Sequence, residues 1–420
     1  MPAPAPPPAG SPAPPAATAL AGAPTVAASP AETDVPLEGT GDPASETDRP
    51  VPPIADGPRS VEVTDGVVVG RVRAMASTVT VRAIGRSGRA ACRYAGLQRD
   101  GEPRGRSAAG SAAGSAAGSA AGSAAGSAAG TADVAVVEAV GRALDVFETV
   151  AAACTRFDPA SPLMVANDEP GRWHDLPEVC ASAIAEAHAA YLRTDGRFDP
   201  RVLEDLVGLG YTASLSFTPG AASAPDGRAR RRVVPPPWQP RFRGRGHVHL
   251  GGRPVDLGGI GKGLAVRWAA EALRSVSDDH LVEAGGDCTC RGRAPDGGPW
   301  RVGVEDPTGG AAPVAVLELT DVSCATSSVR LRRWRAGNRV VHHLIDPRTG
   351  LPGGPGLTAV TVVAPDPAEA EVWSKALFLS GRAAIGEEAA RRELAALWVT
   401  TDGVAACSRP MSRYLVWQAW

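Results

Sequence analysis

The chain is nearly without lysine. Of its 43 Lys and Arg residues only Lys262 and Lys375 are lysine, and the rest are arginine. A GC-rich genome drifts toward Arg and Ala, so the arginine excess alone says little. The two remaining lysines are the informative ones, because lysine is a compact point charge and arginine a planar fork. Aromatic residues are also scarce, at 5%, within a hydrophobic fraction of 44%, so the core must be built mainly from Ala, Val and Leu. Charge of one sign is lacking. A formal net charge of −2 gives no general electrostatic reason to expect nucleic acid or an anionic membrane as partner. Long apolar runs are missing too, since no stretch reaches the length of a membrane span without Gly, Pro or charge. The start, MPAPAPPPAGSPAPPAATAL, has neither the basic beginning nor the continuous apolar run of a secretory signal. The expectation is a cytoplasmic protein without a membrane span. There is no cysteine framework either. The count is seven, an odd number, and Cys288 and Cys290 stand closer together than the usual zinc pairs. Buried free thiols are expected.

What is present divides the chain unevenly. Residues 1–62 are rich in Pro, Ala and acid and contain no Phe, Tyr or Trp. Such a segment cannot bury enough apolar surface to offset its ordering entropy and reads as a disordered tail. Residues 63–420 read as one domain carrying two insertions, a low-complexity SAAG run at 107–130 and a Pro/Arg-rich loop at about 219–246. Gly at every fourth position argues for a flexible surface loop in the first. Val63–Ile84 alternates as strands around a turn. Helical spacing predicts helices over 132–153 (Val136, Val137, Val140, Leu144, Phe147), 178–193, 262–276, 368–379 and 384–394. Strands are expected over 281–286, 300–304, 314–319, 339–345 and 357–363. Strands in runs with helices inserted argue for an α+β fold with mixed sheets rather than a doubly wound one.

The densest chemistry lies in VDLGGIGKG, Val255–Gly263. Its glycines let a ligand approach the backbone closely. The turn opens into a helix whose first amides are available to an anion, and Lys262 adds charge. It is not a Walker loop, because both the wider glycine spacing and the Ser/Thr after Lys are missing. On its own it is equally a tight strand-to-helix turn with a solvated lysine. TDGRFDP (194–200), EAGGDC (283–288) and HHLIDPRTGLP (342–352) have a similar look, though each alone is an ordinary loop. His247 and His249 share a strand face with no ligand-spaced partner nearby, which reads as a polar face rather than a metal site.

Taken in order, these segments resemble the ApbE family of FAD:protein FMN transferases. AMAST at Ala74, TRFDPASPLMVAND at Thr155, TDGRFDP, VDLGGIGKG, EAGGDC, CATSS at Cys324, HHLIDPRTGLP and AEAEVWSKALF at Ala368 follow the family's order from about Arg73 to Leu379. The resemblance implies a T-fold-like α+β architecture and a transferase of protein flavinylation. It would cleave FAD, pass FMN to a Ser or Thr of an acceptor flavoprotein and release AMP. By resemblance, Met75, Phe157, Arg197, Phe198, Asp199, Asp256, Lys262 and Ile345 line the FAD. His343, with Asp346 close by, is the candidate for proton handling, against the alternative of a half-buried strand histidine. Two other activities fit the same residues: an FAD pyrophosphatase giving FMN and AMP, and a non-catalytic FAD-binding protein.

The sequence also departs from the family. The resemblance places Mg²⁺ at the Gly259 backbone and at Glu371, Ser374 and Lys375. Glu371 stands where the family has Asp, and Lys375 where it has Thr. A protonated ammonium cannot ligate a metal. Lys375 is then either an i,i+4 partner of Glu371 without function, or a source of positive charge for the diphosphate that replaces part of the metal's role. Ala76 stands where the family has Gly, and Thr326-Ser327-Ser328 replaces its TSG.

Overall fold

The computed structural model describes residues 59–85, 121–213 and 236–420, with side chains from residue 134 in the first helix. Most of the Pro/Ala-rich tail, residues 107–120 of the SAAG run and residues 214–235 of the Pro/Arg-rich region lie outside them. The described chain opens on strands β1 (Ser60–Thr64), β2 (Val67–Ala74) and β3 (Ser77–Ile84). β1 therefore begins just inside the segment read as tail. Helix α1 (Ala121–Cys154) starts at Ala121 rather than at Ala132, so the last SAAG repeats are helix and not loop. Alanine is the best helix former, and the packed turns that follow supply a nucleus onto which further turns add readily.

Next come α2 (Pro162–Asp168), β4 (Trp173–Asp175), α3 (Glu178–Arg193), α4 (Leu203–Gly208), β5 (Arg241–Arg243), β6 (His247–His249) and α5 (Gly261–Glu271). Strands follow in a run: β7 (Asp279–Ala284), β8 (Asp287–Arg291), β9 (Trp300–Val304), β10 (Ala315–Leu319), β11 (Val322–Ser328), β12 (Arg333–Ala336), β13 (Arg339–His342), β14 (Ile345–Asp346), β15 (Leu351–Pro352) and β16 (Leu357–Ala364). Helices α6 (Pro367–Ser380) and α7 (Ile385–Arg391) precede β17 (Ala395–Thr400), β18 (Ala405–Cys407) and β19 (Leu415–Gln418). The order confirms the α+β reading.

Nine strands form one antiparallel sheet in the order β1-β2-β3-β7-β8-β11-β16-β17-β18. Helix α1 covers β2 and β3 with Val136, Val140, Leu144 and Phe147, and α5 joins the same cluster through Ala265, Val266 and Ala269. A second small sheet, β19-β10-β9, covers another part, burying Cys288, Cys290 and Cys324 as free thiols with Trp300 and Leu317. α6 lies over the centre, where Ala325, Ala364 and Ala370 meet. That contact explains why β11, read only as the CATSS run, is a strand without bulky alternation: small side chains admit the helix. Asp366 caps α6 by accepting from the Glu369 amide at 2.9 Å, and Pro367 opens its first turn. Arg267 of α5 grips the same Asp366 through two bonds of 2.6 Å, locking the two helices together.

Two hairpin tips meet beside this helix pair. β7 and β8 turn through Gly285 (φ 58°) and Gly286 (φ 89°), as a two-residue turn with both φ positive requires. β2 and β3 turn through Met75 (φ 53°) and Ala76 (φ 57°) without glycine. A Cβ on Gly285 would lie 2.7 Å from Ser77 Cβ, so the tips touch. An alanine at positive φ is strained. Ala76→Gly is therefore expected to stabilise the protein, by about 0.5–1 kcal/mol in urea unfolding. No gain would show that the tip relaxes at no cost.

Candidate functional site

The turn of residues 256–263 is closed by its own side chain and by α6. Asp256 Oδ1 accepts from the Gly258 amide at 2.6 Å, and the Ile260 and Gly261 amides donate to Leu257 O at 3.1 and 2.8 Å. The Gly263 amide, in the first turn of α5, donates to Glu371 Oε2 at 2.7 Å. The expectation of free amides at this helix start is thus corrected in part. A carboxylate of the chain already takes one of them, since the helix N-terminus favours any nearby anion. Among the described residues the Gly259 and Lys262 amides have no hydrogen-bond partner.

Glu371 lies within α6 and is fully buried. Its Oε1 accepts from Lys262 Nζ at 2.8 Å and from Lys375 Nζ at 3.1 Å. Lys262 also makes a short contact with Asp287, the first residue of β8, whose Oδ1 accepts from the Thr326 amide at 3.2 Å. Four charges from α5, β8 and α6 therefore share one pocket, two cationic and two anionic. Burial pushes the Glu371 carboxyl up, but Lys262 and Lys375 outweigh it and hold it at about 2. Burial would lower Lys262, yet Asp287 and Glu371 raise it above the ordinary lysine value. Lys375 goes the other way, lowered by burial and by the charge of Lys262 against the pull of Glu371. Both of the chain's lysines meet on one carboxylate.

The other residues anticipated from sequence gather around this cluster unequally. Phe198 is buried, with Cε2 2.8 Å from where a Cβ on Gly259 would sit, and Lys375 Cδ and Cε are 3.5 and 3.6 Å from the same point. Met75 Cε lies 3.4 Å from a Cβ built on Gly261, so the strained hairpin tip reaches the turn. Ser374 Oγ is 2.7 Å from Ser327 Oγ and donates to Glu371 O at 2.9 Å. Asp256 is held by Arg156 at 3.0 Å. Phe157 is exposed and meets Tyr211 edge-on at 5.7 Å, while Tyr211 and Ile345 share a satellite core with Trp334. Arg197 and Asp199 are engaged elsewhere: Arg197 with Ser380 (2.7 Å) and Glu388 (3.3 Å), and Asp199 with Arg201 through bonds of 2.7 and 3.0 Å.

His343 is half-buried, its Nδ1 3.3 Å from Arg332 O, and Arg348 grips the Asp346 carboxylate at 2.7–3.3 Å. Burial is the first cause holding His343 well below the ordinary 6.5, helped by the charges of Arg332 and Lys375. It is therefore a neutral imidazole at neutral pH. His247 pairs with Asp175 at 2.6 Å and stacks on Trp173, as a polar strand face does.

Two residues escaped the sequence reading. Asp287 was inside the quoted EAGGDC segment, but nothing marked it as the partner of Lys262. Arg156 was the residue before Phe157. Its guanidinium packs against both the Phe157 and the Tyr211 ring, 4.2 and 4.1 Å from their centroids, and it donates to Tyr211 O at 2.6 Å. Its Nη2 is buried and lacks a partner among the described residues, and such an orphan donor is rare in a folded interior.

The depressed histidines set a pH dependence. Burial lowers His280 and His342 to about 4 each, alongside His343. With folded pKa values below the unfolded ones, the unfolded chain takes up protons first as pH falls. Stability is thus expected to drop from about pH 6.5 to pH 4, by up to about 1.4 kcal/mol per pH unit for each histidine. Glu371, at about 2 against an ordinary 4.5, adds a further loss between those two values. Urea unfolding across this range tests it, and a flat profile above pH 4.5 refutes the histidine part.

The family model described as "ApbE family" matches residues 129–398. The protein named FAD:protein FMN transferase in Escherichia coli (strain K12) is 32% identical over 151 residues, covering 36% of this chain and 43% of that one. Its namesake in Haemophilus influenzae is 36% identical over 153 residues, covering 35% and 44%. The chain thus spans less than half the length of these curated relatives. The namesake in Chlamydia pneumoniae is 25% identical over 254 residues, covering 55% of this chain and 73% of its own. Among solved structures, the ApbE protein of Thermotoga maritima superposes with a TM-score of 0.60 at 21% identity, covering 85% of this chain and 99% of that one. The flavin transferase ApbE of Vibrio cholerae gives 0.59 at 21% identity, covering 85% and 100%. The fold is theirs, and with the family model matching well over half of its residues, the chain belongs to the ApbE family.

Proposed function

We propose that the protein is an FAD:protein FMN transferase. The observation that carries the reading is the convergence of both lysines on the glycine-rich turn at the start of α5, in a chain of this family. A diphosphate needs compact positive charge and close backbone approach, and this turn provides both. Lys262, Lys375 and the amides of Gly259 and Lys262 face the phosphates. Met75, Phe157, Phe198 and Ile345 shape the flavin pocket, while Arg197, Asp199 and Asp256 hold its walls through their ion pairs. In the reaction, a Ser or Thr hydroxyl oxygen of the acceptor flavoprotein attacks the FMN phosphorus. The bond from that phosphorus to the bridging oxygen breaks, and AMP leaves with the electron pair. The hydroxyl proton passes to a base. His343, neutral at working pH, is the candidate, with Asp346 fixing the loop beside it.

The positions expected for Mg²⁺ do not suit a divalent ion. Both Glu371 oxygens are committed, Ser374 is bonded to Ser327, and an ammonium stands at residue 375. Among the described residues no group of three His, Cys, Asp or Glu side chains could hold a metal. No step of the proposal therefore runs through a metal.

Incubation with FAD and an acceptor flavoprotein tests the function. AMP release together with covalent flavin fluorescence on the acceptor is the expected result. AMP without labelled acceptor would make the protein an FAD pyrophosphatase, and intact bound FAD would make it a binding protein.

A further inference from the structure

We propose that Lys375 is a tethered cation occupying the place of a divalent metal, so that the site takes a flavin dinucleotide without one. This rests on the reading that FAD is the ligand. Gly259, Glu371 and residue 375 do converge, as a metal site would require, but the lysine itself fills the convergence. Its stem lies against Gly259, and its ammonium bonds to Glu371.

The surface i,i+4 alternative does not match the burial. The Lys375 side chain is 15% exposed and that of Glu371 is 0% exposed, so the pair is part of the interior. Nor does the charge of the unliganded site call for a metal. Lys262 and Lys375 already balance Asp287 and Glu371, so a dication entering before the ligand would leave two uncompensated positive charges in a buried site, at high cost. The residue type fits the same reading. In a chain that otherwise uses arginine, a planar fork would not pass the Gly259 backbone as a slim ammonium stem does. An ammonium has three donors, and Glu371 takes one. Those remaining can meet phosphate oxygens, as a metal would, but without exchangeable ligands.

The experiment uses the full chain, Lys375→Thr, and Lys375→Gln as a variant that keeps a donor without the charge. Mn²⁺ binding is read by electron paramagnetic resonance. FAD binding is read by calorimetry in EDTA and in Mg²⁺, with thermal melts confirming folding. The parent protein is expected to bind no Mn²⁺ and to hold FAD equally in EDTA and Mg²⁺. Both variants are expected to lose about 10- to 100-fold in FAD affinity in EDTA. Lys375→Thr alone should recover affinity with Mg²⁺ and gain a Mn²⁺ signal. Stoichiometric Mn²⁺ on the parent protein, or FAD binding abolished by EDTA, overturns the proposal. If the parent binds no FAD under any condition, the functional reading fails instead, and the Mn²⁺ signals of the parent and Lys375→Thr still decide whether Lys375 excludes a metal. Should Lys375→Thr fail to fold, Lys375→Gln and the parent carry the test.

Discussion

Lys262→Met is expected to destabilise the protein by about 3–5 kcal/mol, because it leaves two buried carboxylates with one cation between them. Asp287 and Glu371 are each 0% exposed at the side chain, and among the described residues Lys262 is the one cation that contacts both. Its removal leaves Glu371 with Lys375 and the Gly263 amide, and Asp287 with the Thr326 amide. Burial already pushes the Asp287 carboxyl above its ordinary value against the pull of Lys262. Without that pull its carboxyl should rise further. The variant's stability should therefore be less sensitive to Asp287→Asn than the parent's, and the two changes should be strongly non-additive in a double-mutant cycle. Lys262→Arg should not rescue, since the guanidinium fork must fit a gap shaped for one nitrogen. Urea unfolding of the four proteins of the cycle and of Lys262→Arg provides the measurement. A loss under about 1 kcal/mol for Lys262→Met, the range of exposed pairs, would mean that water reaches these carboxylates and that the cluster is no interior feature. FAD binding should disappear in the same variant.

Gly263→Ala carries the next largest effect, at least about 1–3 kcal/mol. A Cβ on residue 263 would lie 2.6 Å from both Ala368 Cα and Pro367 O. Those are main-chain or main-chain-bound atoms, so no rotamer change relieves the clash, and α5 must separate from α6. The separation would also draw the residue 263 amide away from Glu371, now 2.7 Å distant, so FAD affinity should fall together with stability. Gly171→Ala is the control. Nothing lies within 4 Å of its Cβ position, and its effect should stay within about 0.5 kcal/mol. Thermal melts and FAD titration of the two variants check the pair. Equal melting temperatures would show that the helices yield without strain.

Much of the scaffold was legible in advance because it follows local rules. The buried face of α1, from Val136 to Phe147, is the face that helical spacing selects. The strand-to-helix turn at 256–263 is visible as glycines before an amphipathic run, and the two lysines stand out from composition alone. β11 was not recognised as a strand, because a central strand under a close helix carries Ala, Ser and Cys rather than β-branched residues. The helical SAAG repeats were missed because α1's packed body, not the repeat itself, carries them.

The site shows where sequence stops. Order and residue type singled out Lys262, Glu371 and Lys375 and gave two meanings for the third. Which meaning holds depends on burial and on who bonds to whom across 109 residues between Lys262 and Glu371 and 25 between Lys262 and Asp287. A lysine beside a glutamate is worth little in water and a great deal in an interior, and only packing sets which medium surrounds it. The same applies to Arg156, an ordinary arginine in the sequence, which the fold sets against two rings with one donor unspent. Motif order pointed to the family, and composition set the two lysines apart; the tertiary structure decided that the charge at position 375 is buried, paired and set against the glycine-rich turn, because dielectric environment and hydrogen-bond partners exist only once the chain is folded.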